Sequence, residues 1–208
     1  MTVRGKLIFV TGGARSGKSR WAEELIGRLG NRVAYLATCV PRDEEMIARV
    51  KIHQQRRPAQ WVTVEEPLEV ARAVQRVADE VEAILIDCLT LWLTNLLLDA
   101  YPELDRADLA QIADLNLEEI ENSVLGRVTE LVQAAKQSSA QVVMVSNEVG
   151  LGIVPGYPLG RLYRDLLGRA NQMVAAAADE VYLVVAGIPL EIKHLDARQN
   201  GEQGGRNV

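Results

Sequence analysis

Short apolar runs alternate with segments of helical periodicity along most of the chain. Continuous apolar runs predict buried strands at residues 7–10, 33–37, 83–86, 141–146 and 181–186, and favour a short partner for the last strand at 190–193. A further stretch, 61–64, alternates in the way that a strand does. Strands that are apolar throughout are typical of a parallel sheet with both faces covered. The pattern therefore predicts an α/β fold, with a mostly parallel sheet and helices on both faces.

Apolar residues at helical spacing fill the intervals between these strands. They predict helices at 19–29, at 44–57, from Pro67 to about residue 79, at 90–98 and at 162–178. The acidic segment 105–137 predicts two helices with a break near Asn116, and the Gly and Pro residues of 150–160 predict a loop. With no repeat or linker in the pattern, we expect a single domain over 1–195 and a polar, disordered tail at 196–208.

Composition narrows the class of protein. The 208 residues are 48% hydrophobic and 25% charged, as expected of a globular chain with a sizeable core. The net charge of −5, from 23 basic and 28 acidic residues, argues against a nucleic-acid partner. The two cysteines, Cys39 and Cys88, cannot form a disulfide framework or a four-Cys zinc site. No apolar stretch reaches the ~18 residues of a membrane span, so we expect a cytoplasmic protein.

A glycine-rich loop follows the first predicted strand and opens the first predicted helix. It fits the pattern G-x-x-x-x-G-K-[ST] with Gly12, Gly13, Ala14, Arg15, Ser16, Gly17, Lys18 and Ser19. Glycines let backbone N–H groups wrap a phosphate chain, and the helix dipole favours the negative charge there. Lys18 would reach the outer phosphates and the Ser19 hydroxyl would reach Mg²⁺. The alternative is a chance match in a turn, but the strand–loop–helix context favours a nucleotide site.

A carboxylate that holds Mg²⁺ is expected at the end of a second buried strand, and Asp87 ends the strand 83–86. An Asp at this position could instead cap the helix that follows, and both roles are compatible. Ser19 and Asp87 are therefore the predicted metal-binding residues, with Mg²⁺ and ATP or GTP as cofactors. These features predict a magnesium-nucleotide enzyme, but they do not separate a kinase from an ATPase or a GTPase.

His53 continues an apolar stripe on the predicted helix 44–57. Met46, Val50, His53 and Arg57 share one helical face, and cationic side chains surround the imidazole. Neighbouring cations favour the neutral ring that a nucleophile requires. The alternative is an ordinary histidine on an exposed helix, and spacing alone favours that interpretation.

These residues carry a family resemblance. The sequence resembles the bifunctional adenosylcobinamide kinase / adenosylcobinamide-phosphate guanylyltransferases of cobalamin assembly over nearly the whole chain apart from the tail. The glycine-rich loop contributes to it, but the more specific blocks are His-Gln-Gln-Arg-Arg-Pro at 53–58 and Ser-Asn-Glu-Val-Gly at 146–150. Further matching stretches lie at 35–38, 61–65, 87–90, 94–97, 164–172 and 177–181.

The resemblance implies two reactions. The enzyme would phosphorylate the aminopropanol hydroxyl of adenosylcobinamide with ATP or GTP. GTP would then guanylylate His53 with release of pyrophosphate, and the GMP would move to adenosylcobinamide phosphate to give adenosylcobinamide-GDP. Besides Lys18 and the glycine-rich loop, the resemblance implies nucleotide contacts at Ala37, Thr38, Cys39, Gln54, Gln55, Arg56, Arg57, Glu65 and Asp87.

The resemblance also implies a homotrimer. Its interface could involve the leucine-rich segment at the predicted helix 90–98, or the acidic segment 105–137. Burial in the core would explain the leucines equally well. The loop 148–160 is expected to shape the corrinoid or the nucleotide site. Two alternative functions remain: a kinase of another small metabolite, and a regulatory NTPase that acts through partners, each with a structural His53.

Overall fold

One seven-stranded sheet organises the chain. The computed structural model describes residues 4–41, 44, 57–105 and 116–197. Its strands are β1 (Leu7–Thr11), β2 (Val33–Ala37), β3 (Val62–Glu65), β4 (Ala83–Asp87), β5 (Gln141–Val145), β6 (Glu180–Val185) and β7 (Ile188–Glu191). They lie in the order β3-β2-β4-β5-β1-β6-β7. All neighbouring pairs are parallel except β6 and β7, so the predicted α/β fold is confirmed.

Helices connect the strands and cover both faces of the sheet. They are α1 (Lys18–Leu29), α2 (Val70–Val77), α3 (Leu89–Ala100), α4 (Leu117–Gln137) and α5 (Pro158–Ala177), with short 3₁₀ helices at Pro102–Asp105 and Lys193–Leu195. Among the described residues, no helix is long and apolar enough to cross a membrane.

The alternation of side chains along each strand divides the core in two. Leu7 and Phe9 of β1 pack on the side of α2 to α5, whereas Ile8 and Val10 pack on the side of α1. Both sets are almost completely buried. Because all five residues of β1 are buried, the strand end that carries the glycine-rich loop has a well-packed base.

The leucine-rich segment belongs to the core. Leu89, Trp92, Leu93, Leu96 and Leu97 of α3 are buried in the larger cluster. Burial within the chain therefore explains most of the apolar character of this helix, without an interface between subunits.

Several predicted boundaries were wrong. The helix predicted from Pro67 begins at Val70 because the Glu66 carboxylate accepts hydrogen bonds from the backbone N–H groups of Leu68 and Glu69 in a turn. The last long helix begins at Pro158, inside the predicted loop 150–160, since proline suits the first turn of a helix. The expected partner of β6 pairs antiparallel at Ile188–Glu191, slightly earlier than predicted.

The predicted break near Asn116 is confirmed at its C-terminal side. Asn116 precedes α4, and its side-chain oxygen accepts a 3.3 Å hydrogen bond from the N–H of Glu119. The first half of the acidic segment, residues 106–115, lies outside the described residues, as do nearly all of the predicted helix 44–57 and the end of the tail.

Candidate nucleotide site

The glycine-rich loop turns tightly between β1 and α1. Gly17 precedes the helix in the left-handed region, with φ +93°, a conformation that glycine adopts at little cost. A side-chain carbon on Gly12 would lie 2.5 Å from the carbonyl oxygen of Val184, so the strand leaves no room for one. The N–H of Ser16 closes the turn on the carbonyl of Gly13 at 3.2 Å. The conformation of the loop and its contact with the neighbouring strand therefore require glycine at two of the three positions, Gly12 and Gly17.

Lys18 reaches back over this loop. Its Nζ donates a 3.2 Å hydrogen bond to the carbonyl of Gly13. Burial lowers the pKa of Lys18 from its ordinary value, while the nearby Asp87 and Cys88 act in the opposite direction. A partly desolvated ammonium group gains from an anion placed beside it, so the loop is electrostatically prepared for phosphate.

Asp87 ends β4 on the α1 side of the sheet. The hydroxyl of Tyr35 donates a 2.9 Å hydrogen bond to its Oδ2. The guanidinium of Arg57 lies over the Tyr35 ring, 3.3 Å from its centroid, and donates to the hydroxyl of Thr63 at 3.1 Å. This row of contacts holds the carboxylate and places Arg57 over the α1 side of the sheet, beside Tyr35.

Ala37, Glu65 and Asp87 lie side by side at the ends of three neighbouring strands, where Ala37 pairs with both of the others. The Glu65 side chain is exposed there. The predicted nucleotide contacts on β2, β3 and β4 therefore converge at one edge. This is the carboxyl edge, where ligands bind to parallel sheets.

Thr38 contributes to this edge through its backbone connections. Its side chain is fully buried and exchanges two hydrogen bonds with the backbone of Cys88: Oγ1 donates to the carbonyl at 2.8 Å and accepts from the N–H at 2.9 Å. Asn95 also donates to the carbonyl of Thr38 at 2.8 Å. With its hydroxyl committed in this way, Thr38 ties the end of β2 to the start of α3. Cys39, beside it, is half-buried, and burial raises the pKa of its thiol.

The remaining predicted residues fall outside the described ranges. They are His53, Gln54, Gln55 and Arg56. Arg57 is the first described residue after them. The roles of these residues, and of the whole predicted set, stay predictions.

Two groups near this edge were not predicted from the sequence. Tyr35 enters the sequence analysis only within an apolar strand and a matching stretch, although a hydroxyl inside such a run needs a partner when it is buried. Asn171 and Thr90 were quoted only within matching stretches, yet both bond the backbone at the end of β5. The first had a signal in the sequence; the others depend on contacts between distant segments.

Ser19 and Asp87 offer hard oxygen ligands of the kind that Mg²⁺ prefers. Within the described part of the chain, no group of three or more His, Cys, Asp or Glu side chains could hold a metal ion. Mg²⁺ commonly takes one or two protein ligands and completes its shell with water and substrate phosphates. The donor set thus fits an ion that binds with the nucleotide.

The sheet order defines a three-layer α/β protein, with the glycine-rich loop at the carboxyl edge of its sheet. Residues 8–192 match the model of the cobinamide kinase / cobinamide phosphate guanyltransferase family. The chain belongs to this family, as the sequence resemblance predicts.

Characterised relatives agree with this assignment. The chain is 43% identical over 187 residues to the bifunctional adenosylcobalamin biosynthesis protein CobU of Escherichia coli. This match covers 90% of this chain and 99% of the relative. The chain is 44% identical over 189 residues to the protein of the same name from Salmonella typhimurium, with the same coverage. It is 40% identical to CobP of Pseudomonas aeruginosa, over 88% of this chain and 95% of that one.

Proposed function

We propose that this protein is a bifunctional enzyme that phosphorylates adenosylcobinamide and then guanylylates the product. ATP or GTP provides the first phosphoryl group, and GTP provides the GMP that yields adenosylcobinamide-GDP. Family membership across residues 8–192 supports both activities. The observation that carries the proposal in this chain is the placement of Lys18 between the glycine-rich loop and Asp87.

In the phosphorylation step, the loop and Lys18 bind and orient the triphosphate. Backbone N–H groups of the loop and the start of α1 face the phosphates. The partly buried Lys18 neutralises negative charge that spreads over the transferring group. Ser19 and Asp87 would hold Mg²⁺, which neutralises phosphate charge when it is bound. Tyr35 keeps the Asp87 carboxylate oriented through its 2.9 Å hydrogen bond.

In the guanylylation step, we propose that His53 attacks the α-phosphorus of GTP. The new nitrogen–phosphorus bond replaces the bond to pyrophosphate, and the phosphate of adenosylcobinamide phosphate then displaces the imidazole. Arg57 supports this role because it is fixed over Tyr35 at the site. His53 lies four positions before Arg57 in the sequence.

The loop 148–157 is proposed to contact the corrinoid. This loop follows β5 and begins beside the glycine-rich loop, where the N–H of Glu148 donates a 3.0 Å hydrogen bond to the carbonyl of Gly12. Beyond that point Leu151, Ile153 and Val154 are 86%, 96% and 58% exposed. Exposed apolar side chains on a loop that begins beside the proposed phosphate site suit an acceptor that is large and partly apolar.

We also propose that the enzyme is a cytoplasmic homotrimer. Val185, Ile188 and Leu190 on the hairpin of β6 and β7 are exposed apolar residues at the sheet edge, which supports association between subunits. Light scattering should give three times the 22.9 kDa chain mass. A monomer at micromolar concentration would contradict the trimer without affecting the chemistry.

The function is tested by product analysis. Purified protein with adenosylcobinamide, ATP, GTP and Mg²⁺ should convert the corrinoid first to a phosphate ester and then to the GDP derivative. Omission of GTP after ATP phosphorylation should stop the reaction at the phosphate. Hydrolysis of nucleotide with an unmodified corrinoid would overturn the proposal and favour a regulatory NTPase.

A further inference from the structure

The end of β5 lies between the glycine-rich loop and Asp87. The pairing of β5 with β1 continues past the strand, because Ser146 donates to the carbonyl of Val10 at 3.0 Å and Glu148 to that of Gly12 at 3.0 Å. The backbone is therefore extended through Glu148, and successive side chains point to opposite faces. On the other side, Val145 pairs with Asp87 of β4.

This alternation places Asn147 on the α1 side. Val143 and Val145 pack with α1, whereas Ser146 points the other way and donates a 2.7 Å hydrogen bond to Oδ1 of Asn171 on α5. Asn147 thus follows Val145 on the face that carries Lys18 and Asp87. Its side-chain amide is partly buried and makes no hydrogen bond to any other residue in the described ranges.

The backbone of Asn147 is held on both sides. Its N–H donates to Oγ1 of Thr90 at 3.0 Å, and its carbonyl accepts from Nδ2 of Asn171 at 2.9 Å. Asn171 is 7% exposed. Its amide oxygen accepts from Ser146 and its amide nitrogen donates to Asn147, so both polar groups of this buried side chain bond the end of β5. Tyr163 in turn donates to the carbonyl of Thr90 at 2.7 Å. A buried amide left without partners would be costly, which makes this arrangement specific.

We propose that the side-chain amide of Asn147 contacts the terminal phosphoryl group of the nucleotide, and that Asn171 is the positioning residue that holds it there. The inference rests on the proposed function and adds a catalytic residue to it. Lys18 reaches the outer phosphates, and Asn147 lies one strand from both the loop of Lys18 and Asp87. With its backbone held at this point, Asn147 directs an amide donor that has no partner among the described residues towards the group that is transferred.

The amide would act by donating a hydrogen bond to a non-bridging oxygen of that group. During transfer, the acceptor hydroxyl oxygen forms a bond to phosphorus, and its proton passes to water. The bridging bond breaks with its electron pair on the leaving nucleoside diphosphate. Charge grows on the oxygens that the amide faces, so its hydrogen bond strengthens in the transition state. Asn147 gains and loses no proton.

The first test compares Asn147→Ala and Asn147→Asp with the exposed control Gln172→Ala. We expect Asn147→Ala to lower kcat for corrinoid phosphorylation about 100-fold, with KM for the nucleotide changed less than about threefold. Asn147→Asp should be at least as slow, because a carboxylate repels phosphate. Formation of the guanylylated protein from GTP should fall less than about threefold in both, since it involves the α-phosphate.

Two results would overturn the assignment: a kcat within about threefold of the wild type, or an equal fall in both reactions. Thermal unfolding of each variant excludes general loss of structure as the cause. A wild type that does not phosphorylate the corrinoid would overturn the proposed function, and this inference with it. An active wild type alongside an equally active Asn147→Ala would overturn this inference alone.

The second test addresses Asn171. Asn171→Asp keeps the acceptor for Ser146 but loses the donor to the carbonyl of Asn147. It should lower kcat about tenfold, and the double variant with Asn147→Ala should be no slower than Asn147→Ala alone. Losses that multiply in the double variant would show that Asn171 does not act through Asn147. Ser146→Ala, which removes only the donor to Asn171, takes its place in the same cycle if Asn171→Asp does not fold.

Discussion

The hydroxyl of Tyr35 donates a 2.9 Å hydrogen bond to Oδ2 of Asp87 and thereby joins β2 to β4 at the proposed metal ligand. Burial and the charge of Asp87 raise the pKa of this phenol above its ordinary value, so it remains a donor throughout the physiological range. The guanidinium of Arg57 lies over one face of the Tyr35 ring. The Asp87 carboxylate is thus oriented by the protein before any nucleotide binds.

Tyr35→Phe removes this donor and keeps the ring beneath Arg57. We expect activity at low Mg²⁺ to fall about tenfold, because one hydrogen bond to a charged group is lost, and to recover partly at high Mg²⁺. Titration of both reactions with Mg²⁺ checks this. The control is Tyr182→Phe, which removes a hydroxyl that is bonded to Glu180 instead. An unchanged Mg²⁺ dependence in Tyr35→Phe would show that the contact has no role in metal binding.

Lys18→Ala should abolish both reactions, by at least about 1000-fold, because both depend on the same triphosphate contacts. The unfolding temperature should not fall, since burial already disfavours the Lys18 ammonium group. Steady-state kinetics and thermal unfolding measure the two effects. Lys6→Ala, which removes an exposed pair with Glu180, serves as the matched control and should leave both activities unchanged. Survival of one reaction in Lys18→Ala would indicate two separate nucleotide sites.

The glycines of the loop should differ sharply in their tolerance of a side chain. Gly12→Ala would force a carbon to 2.5 Å from the backbone oxygen of Val184, and should cost at least about 2 kcal/mol of unfolding free energy. Gly13→Ala meets no atom within 4 Å and should change that free energy by less than about 0.5 kcal/mol. Chemical denaturation compares the pair. Equal losses would contradict the loop geometry.

Stability should fall in alkaline solution. Burial, helped by Asp87, raises the pKa of Cys88 from 9.0 to about 12. Between these values the folded state keeps a proton that the unfolded state releases, so the free energy of unfolding declines as pH rises, by up to about 1.4 kcal/mol per pH unit for the group. Tyr163 and Tyr182, whose pKa values rise from 10.0 to about 12, add to the decline at higher pH.

Cys88→Ala isolates the contribution of the thiol. Denaturation at a series of pH values from 7 upward should give a flatter decline above pH 9 for this variant than for the wild type. Cys39→Ala gives a comparison at the other cysteine, whose thiol pKa is also raised by burial. Parallel curves for the wild type and Cys88→Ala would contradict a buried, protonated thiol.

Local patterns predicted most of the fold. The run at 33–37 coincides with β2, and the apolar runs at 7–10 and 83–86 fall within β1 and β4, because strands buried on both faces leave a continuous apolar signal. The start of α2 was less predictable. Pro67 fits a helix start, but the turn that the Glu66 carboxylate forms delays the helix to Val70.

The site was only partly predictable. The glycine-rich loop and Asp87 are recognisable because each depends on a local strand end. The arrangement of Asn147, Asn171 and Thr90 joins residues 24 and 57 positions apart, so no sequence window contains it. The buried hydroxyl of Thr38, predicted to lie at the nucleotide, is bonded to Cys88, which is 50 positions away.

The most direct test of the proposed function follows GMP onto the protein. The wild type is incubated with Mg²⁺ and GTP radiolabelled at the α-phosphate, then separated on a denaturing gel, alongside His53→Ala and His194→Ala, which together cover both histidines of the chain. We expect acid-labile, base-stable label on the wild type and on His194→Ala, and none on His53→Ala. Label that persists on folded His53→Ala would contradict the assignment of the nucleophile, and no label on any of the three would contradict the covalent transfer of GMP.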